Sequence, residues 1–140
     1  MDHTTALLIV TGAHLDAEVH DRPVAYRLRE TIRERLGALG GEGLHPVVCS
    51  DVWYLNNEPL RTRPTISIGA PGVNALSAFL ADKLPSVFTI DDRLIVQADL
   101  EMSDLVACCW GADHASTAAA AEAFIERYLE DFLRAAIDGR

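Results

Sequence analysis

The stretch "TISIGAPGVNALSAFL", Thr65 to Leu80, decides how the fold is read. Thr65 to Gly69 is β-branched and apolar, as a buried strand requires. Gly-Ala-Pro-Gly then breaks the run, and Val73 to Leu84 has helical spacing up to the stop at Pro85. Strand, tight turn and helix together make half of a β-α-β unit, the connection that leaves successive strands parallel. A helix that opens at such a turn presents free N–H groups to a ligand. No Lys-Ser/Thr follows the glycines and the G-x-G-x-x-G spacing is missing, so neither nucleotide fingerprint is present. Either Gly72 and Asn74 touch a small ligand, or the turn only redirects the chain and Asn74 bonds locally.

The same alternation extends outward in both directions. Ala6 to Thr11 reads as a buried strand ended by Gly12, followed by a polar loop from Ala13 to His20. Asp21 is placed to cap a helix, with Pro23 in its first turn and Ala25, Leu28, Ile32, Leu36 and Leu39 on one face. Pro46 to Ser50 reads as a second strand and Asp51 to Arg63 as a long loop. Val87 to Ile90 and Leu94 to Ala98 form a hairpin about Asp91-Asp92-Arg93. Leu105 to Trp110 is the last strand, and Ala115 to Ile137 one long helix. The expectation is a single α/β domain over residues 1–140. It is a three-layer sandwich with a largely parallel sheet and an antiparallel edge hairpin.

Composition narrows the class of function. A chain of 140 residues that is 49% hydrophobic has the material for one buried core. The net charge of −9 opposes general binding to nucleic acid or to an anionic membrane. No apolar run approaches the roughly 20 residues of a membrane span, and the first residues lack a signal pattern, so a cytoplasmic protein is expected. Cys49, Cys108 and Cys109 lie in strand-like runs and read as buried thiols, Cys108 and Cys109 on opposite sheet faces. The sharper alternative is a catalytic thiolate at Cys109. No C-x-x-C spacing suggests zinc.

In open parallel sheets, ligands sit beyond the carboxyl ends of the strands, so the segments after each strand hold the candidates. After the first come His14, Asp16 and Glu18, placed for acid–base work by an imidazole and two carboxylates. After the second come Asp51, Trp53, Asn56 and Asn57, an aromatic with polar neighbours suited to a small polar ligand. After the third come Gly72 and Asn74. After the last come Gly111, Asp113, His114 and Thr117 in "WGADHAST", with His114 as a further acid–base candidate and Asp113 or Ser116 as a helix cap. His14, Asp16, Glu18, His20 and Asp21 could also ligate a metal, but their spacing matches no known site, so no metal or cofactor is assigned.

Two short segments resemble archaeal S-layer protein domains. "GAPGVN", Gly69 to Asn74, is similar to their G-G-P-x-x-N turn. "GADHASTAAAA" is similar to a G-x-D-x-x-x-T-x-x-A-A segment, with Gly111, Asp113, Thr117, Ala120 and Ala121 in step. The resemblance implies a related α/β unit in which the two turns lie side by side, and it hints at a structural or interaction role. Three functions follow as expectations. One is a domain, acting as a homo-oligomer or within a complex, that binds a small polar or anionic ligand. Another is a nucleotide- or sugar-directed hydrolase or glycosyl transferase on the same crevice. The third is a module without a ligand.

Overall fold

The computed structural model describes residues 3–139. In chain order the strands and main helices are β1 (Ala6–Thr11), α1 (Arg22–Leu39), β2 (His45–Ser50), α2 (Asp51–Leu55), β3 (Thr65–Ile68) and α3 (Ala75–Leu80). They continue with β4 (Ser86–Ile90), β5 (Leu94–Ala98), β6 (Val106–Gly111), α4 (His114–Arg127) and α5 (Leu129–Asp138). The six strands form one sheet in the order β2-β1-β3-β6-β5-β4. β2, β1, β3 and β6 run parallel, and β5 and β4 add an antiparallel edge. The hairpin between β4 and β5 turns through Asp91 and Asp92 at φ 50° and 55°, a backbone state Asp tolerates better than most residues. The chain leaves β1 for β2 on one side and later returns to β3 on the other, so the switch point of the topology falls between β1 and β3.

Side-chain alternation along the strands divides the core in two. Leu7 and Ile9, Ile66 and Ile68, Ala107 and Cys109 face α1, α4 and α5, where Leu28, Ile32, Phe124, Phe132 and Leu133 close over them. Ala6, Leu8, Val10, Cys49 and Cys108 face the other way, toward Tyr54, Leu60, Leu76 and Leu80. Cys108 and Cys109 thus do point to opposite faces.

Four elements differ from the sequence reading, each for a local reason. The expected loop before α1 is helical from Leu15, and Ala17–Asp21 form a π turn that runs straight into α1. Pro23 is the cause we assign: it has no N–H, and its ring would strike the carbonyl four residues back in a regular α-helix. The widened turn relieves this, with Arg22 N–H donating to Ala17 O five residues back. Asp21 is therefore inside a helix and makes no side-chain cap bond. The segment after β2 holds α2 and a 3₁₀ turn at Glu58–Thr62. Helix α3 starts only at Ala75 and ends at Leu80, its departing carbonyls taken up by Gln97, whose Nε2 donates to Ala81 O and Leu84 O (both 3.0 Å). The C-terminal helix breaks at Tyr128, whose hydroxyl donates to Val87 O (3.0 Å), and α5 then buries Leu129, Phe132, Leu133 and Ala136.

Candidate functional site

The crevice between the ends of β1 and β3 is filled by the protein itself. Asn74 is 1% exposed. Its Nδ2 donates to Val10 O (3.1 Å) and Ile68 O (2.9 Å), and its Oδ1 accepts from Leu76 N–H (2.9 Å) and Ser77 N–H (3.2 Å). One side chain thus ties β1, β3 and the start of α3 together. Gly12 lets the backbone of the turn before Asn74 come close: a Cβ there would stand 1.7 Å from Val73 O. Asp51 adds a second tie. Buried beside the turn, it accepts from Val52 N–H and, across 24 residues of chain, from Ala75 N–H, both at 2.7 Å.

Beside this plug, on the face covered by α1 and α4, sits a cluster of titratable groups. The π turn carries Asp21 inward until its side chain is 1% exposed. Asp21 Oδ1 lies 3.2 Å from Nδ1 of His114, the first residue of α4, 93 positions away. The rings of His114 and His20 stack at 4.2 Å between centroids and 18° between planes. Asp21 Oδ2 is buried with no hydrogen-bond partner among the described residues. It lies against Gly69, where φ is +125° and a Cβ would come within 2.9 Å of it. Thr11 Oγ1, at the end of β1, is likewise buried without a partner. By strand alternation Thr11 faces the same side of the sheet as Leu7 and Ile9, the side of Asp21 and His114. Burial raises the Asp21 pKa above the usual carboxylate value, and the hydrogen bond and charge of His114 only partly offset it. An ionised Asp21 can only accept, so it holds the proton of His114 on Nδ1 and leaves Nε2 as the acceptor. His114 keeps 38% of its side-chain exposure, so this pair reaches solvent.

The remaining candidates fall into two groups. Several are engaged in the fold. Asp113 caps α4 by accepting from Ser116 N–H (2.7 Å) and pairs with Arg93 (3.2 Å), and the capping bonds hold its pKa low. Thr117 is buried and accepts from Gly111 N–H (3.1 Å). Asn57 donates to Trp53 O (2.6 Å), and Glu18 pairs with Arg22 (3.3 Å). Others face solvent: His14, Asp16, Asn56 and Gly72 are exposed. Glu18 and Trp53 line an open hollow of about 540 Å³ with Arg22 and Ser50, at the carboxyl ends of β1 and β2. Cys109 is fully buried and its pKa is pushed well up, so the thiolate reading has no support there. Among the described residues no group of three or more His, Cys, Asp or Glu is placed to hold a metal ion. No helix among them is long and apolar enough to cross a membrane.

The sequence offers two members of the cluster, Asp21 and His20, only as candidate metal ligands and does not place them beside His114. Asp21 looks like a helix cap because it precedes Pro23, and His20 looks like part of a loop. The available signal was a proline preceded by a helix-compatible run, which calls for a widened turn; π turns recur at functional sites. Comparison of the chain with protein-family models gives no match, and comparison with curated proteins gives none either.

Proposed function

We propose that the protein binds a small polar ligand at the carboxyl end of its sheet, over Asp21, His20 and His114. One observation carries this reading: Asp21 Oδ2 is a buried carboxylate oxygen without a partner among the described residues. Such atoms are rare in folded proteins because leaving them unpaired is costly. This one is on a carboxylate with a raised pKa and no capping duty, beside the topological switch point. His114 Nε2 offers an acceptor to a hydroxyl or amine of the ligand. A protonated imidazole would offer a donor to an anion instead.

The Asp21–His114 pair also favours a second reading, acid–base catalysis on the same ligand. A buried carboxylate that fixes the Nδ1 proton leaves Nε2 to take and return a proton. A nucleotide- or sugar-directed hydrolase or glycosyl transferase would use it so. The capping by Asp51, Asn74 and Asp113 speaks instead for the interaction module that the S-layer resemblance implies. Exposed Leu15, Val19, Val52 and Trp53 favour a homo-oligomer, and the composition favours the cytoplasm.

A thermal-shift screen against nucleotides, sugars and sugar phosphates tests the reading, because a ligand that binds only the folded state raises the melting point. The expected result is one class that stabilises the wild type and fails to stabilise His114→Ala. If no class shifts the melting point, and His114→Ala changes stability alone, the site is structural.

A further inference from the structure

The face of the sheet opposite Asp21 carries a second hollow, unrelated to that cluster. It has a volume of about 480 Å³, within the usual range for small-molecule sites. Its origin is the shortness of α3. Six helical residues span roughly 9 Å, whereas the six residues of β6 span roughly 20 Å. The start of β6, at Val106, is thus only partly covered, and the walls are Tyr54, Leu76, Leu80 and Phe79. Phe79 is 56% exposed, unusual for a large apolar side chain on a helix with a sheet beneath it.

The rim carries charge. Lys83, the only lysine in the chain, stands 4.8 Å from the centroid of the Phe79 ring. Arg61 donates to Leu55 O (2.6 Å), and among the described residues neither cation forms an ion pair. Asp104 is the one acid on the rim. Arg61 and Asp104 also line a smaller, polar hollow of about 180 Å³. There Arg63 donates from Nε to Ala6 O (2.9 Å), while its Nη2 is buried without a partner among the described residues and burial lowers its pKa. Two cations, Lys83 and Arg61, thus stand on the rim of this hollow against one acid, and Arg63 lines the neighbouring one.

We infer that this hollow binds a small amphipathic molecule, its apolar body against Leu76, Leu80 and Phe79 and a single anionic head between Lys83 and Arg61. The body gains from leaving water, at about 25 cal/mol for each Å² buried. The head meets two cations that form no ion pair among the described residues. A neutral ligand of the same body loses that second contribution, and a dianion meets Asp104.

Decanoate is the probe, with decanol as its uncharged control, both below their aggregation limits. Binding is followed by calorimetry and by amide chemical shifts. Decanoate is expected to shift Tyr54, Leu76, Leu80 and Lys83, and to bind about tenfold tighter than decanol. Lys83→Glu should weaken it about tenfold, while Asp104→Asn strengthens it severalfold. Both side chains are exposed, so neither variant threatens the fold. A separate readout uses the single lysine: decanoate should slow acylation of Lys83 as counted by mass spectrometry. Absence of shifts at these residues at millimolar decanoate overturns the inference. So does binding that ignores both charge changes. Neither result bears on Asp21 and His114, which lie on the other face.

Discussion

On one face of the sheet lie α1, α4 and α5, of 18, 14 and 10 residues; on the other lie α2 and α3, of 5 and 6. The long helices close over the central strands. They bury Phe124 and Phe132 edge to face at 5.7 Å, among the largest fully buried side chains described. The short helices cannot reach, and a hollow remains where they stop. The polar chemistry divides the same way. Hydroxyls and a thiol fill the thin face in pairs, Ser67 with Ser77 (2.8 Å), Cys108 with Ser77 (3.3 Å) and Tyr54 with Thr65 (3.1 Å). The thick face is apolar up to its rim, where Asp21 and Thr11 are buried with polar atoms unpaired. Thick cover thus carries the stability and holds a costly group at its edge; thin cover leaves room for a guest.

The most forceful way to break this comparison is to remove a large side chain from each face. Phe124→Ala should cost about 4 kcal/mol, because the enclosed cavity cannot collapse and two aromatic contacts go with it. Leu80→Ala, which lines the open hollow, should cost about 2 kcal/mol, since water already reaches the space. Urea unfolding of both variants measures the gap. Equal costs would mean that the two faces are packed alike.

Next in size is the plug between the faces. Asn74→Ala removes a helix cap and leaves the carbonyls of Val10 and Ile68 unpaired in a buried site. A loss of about 3 kcal/mol is expected. Asn74→Asp keeps the acceptor for Leu76 and Ser77 but not the two donated bonds, and should recover less than half of that. A loss below 1 kcal/mol for Asn74→Ala would show that another group or water fills the crevice, and would reopen the turn as a ligand site.

How much of this could be read beforehand follows from the range of the forces involved. The strands, the hairpin and the parallel class were legible because period and turn chemistry are local: "TISIGAPG" and "IDDR" carry their own instructions. The strand boundaries moved little. Where the outcome depends on contacts far apart in the chain, the sequence was silent. The reach of Asp51 to Ala75, and of Asp21 to His114, exists only after β1, β3 and β6 are side by side. The break at Tyr128 serves the packing of α5, which no periodicity records. The π turn is an intermediate case. Pro23 announces a conflict with a regular helix, and the conflict can be settled by a cap or by a widened turn. The cap is the commoner solution, and so Asp21 was read as one. Of the cluster, His114 alone reads as an acid–base candidate; the carboxylate beside it, Asp21, reads as a helix cap or a metal ligand and not as the partner of His114.

The smallest expected effect is also the one whose sign decides most. Asp21 has a pKa raised by burial in the folded protein. The native state therefore keeps its proton at a pH where the unfolded chain, near 3.9, has released it. Asp21 contributes stability below that value and the contribution is lost as pH rises through the folded value. Asp99 and Asp113, whose values are lowered by the N–H groups they cap, act in the opposite direction and lose their contribution as pH falls. Comparing Asp21→Asn with the wild type at each pH cancels those two. The variant should match the wild type in acid and become more stable toward neutrality, a gain in fold at the expense of the proposed site. Thermal unfolding at steps from pH 3 to pH 7 measures the difference. A variant less stable at every pH would make Asp21 an ordinary structural acceptor, and the thick face would then hold no costly group at all.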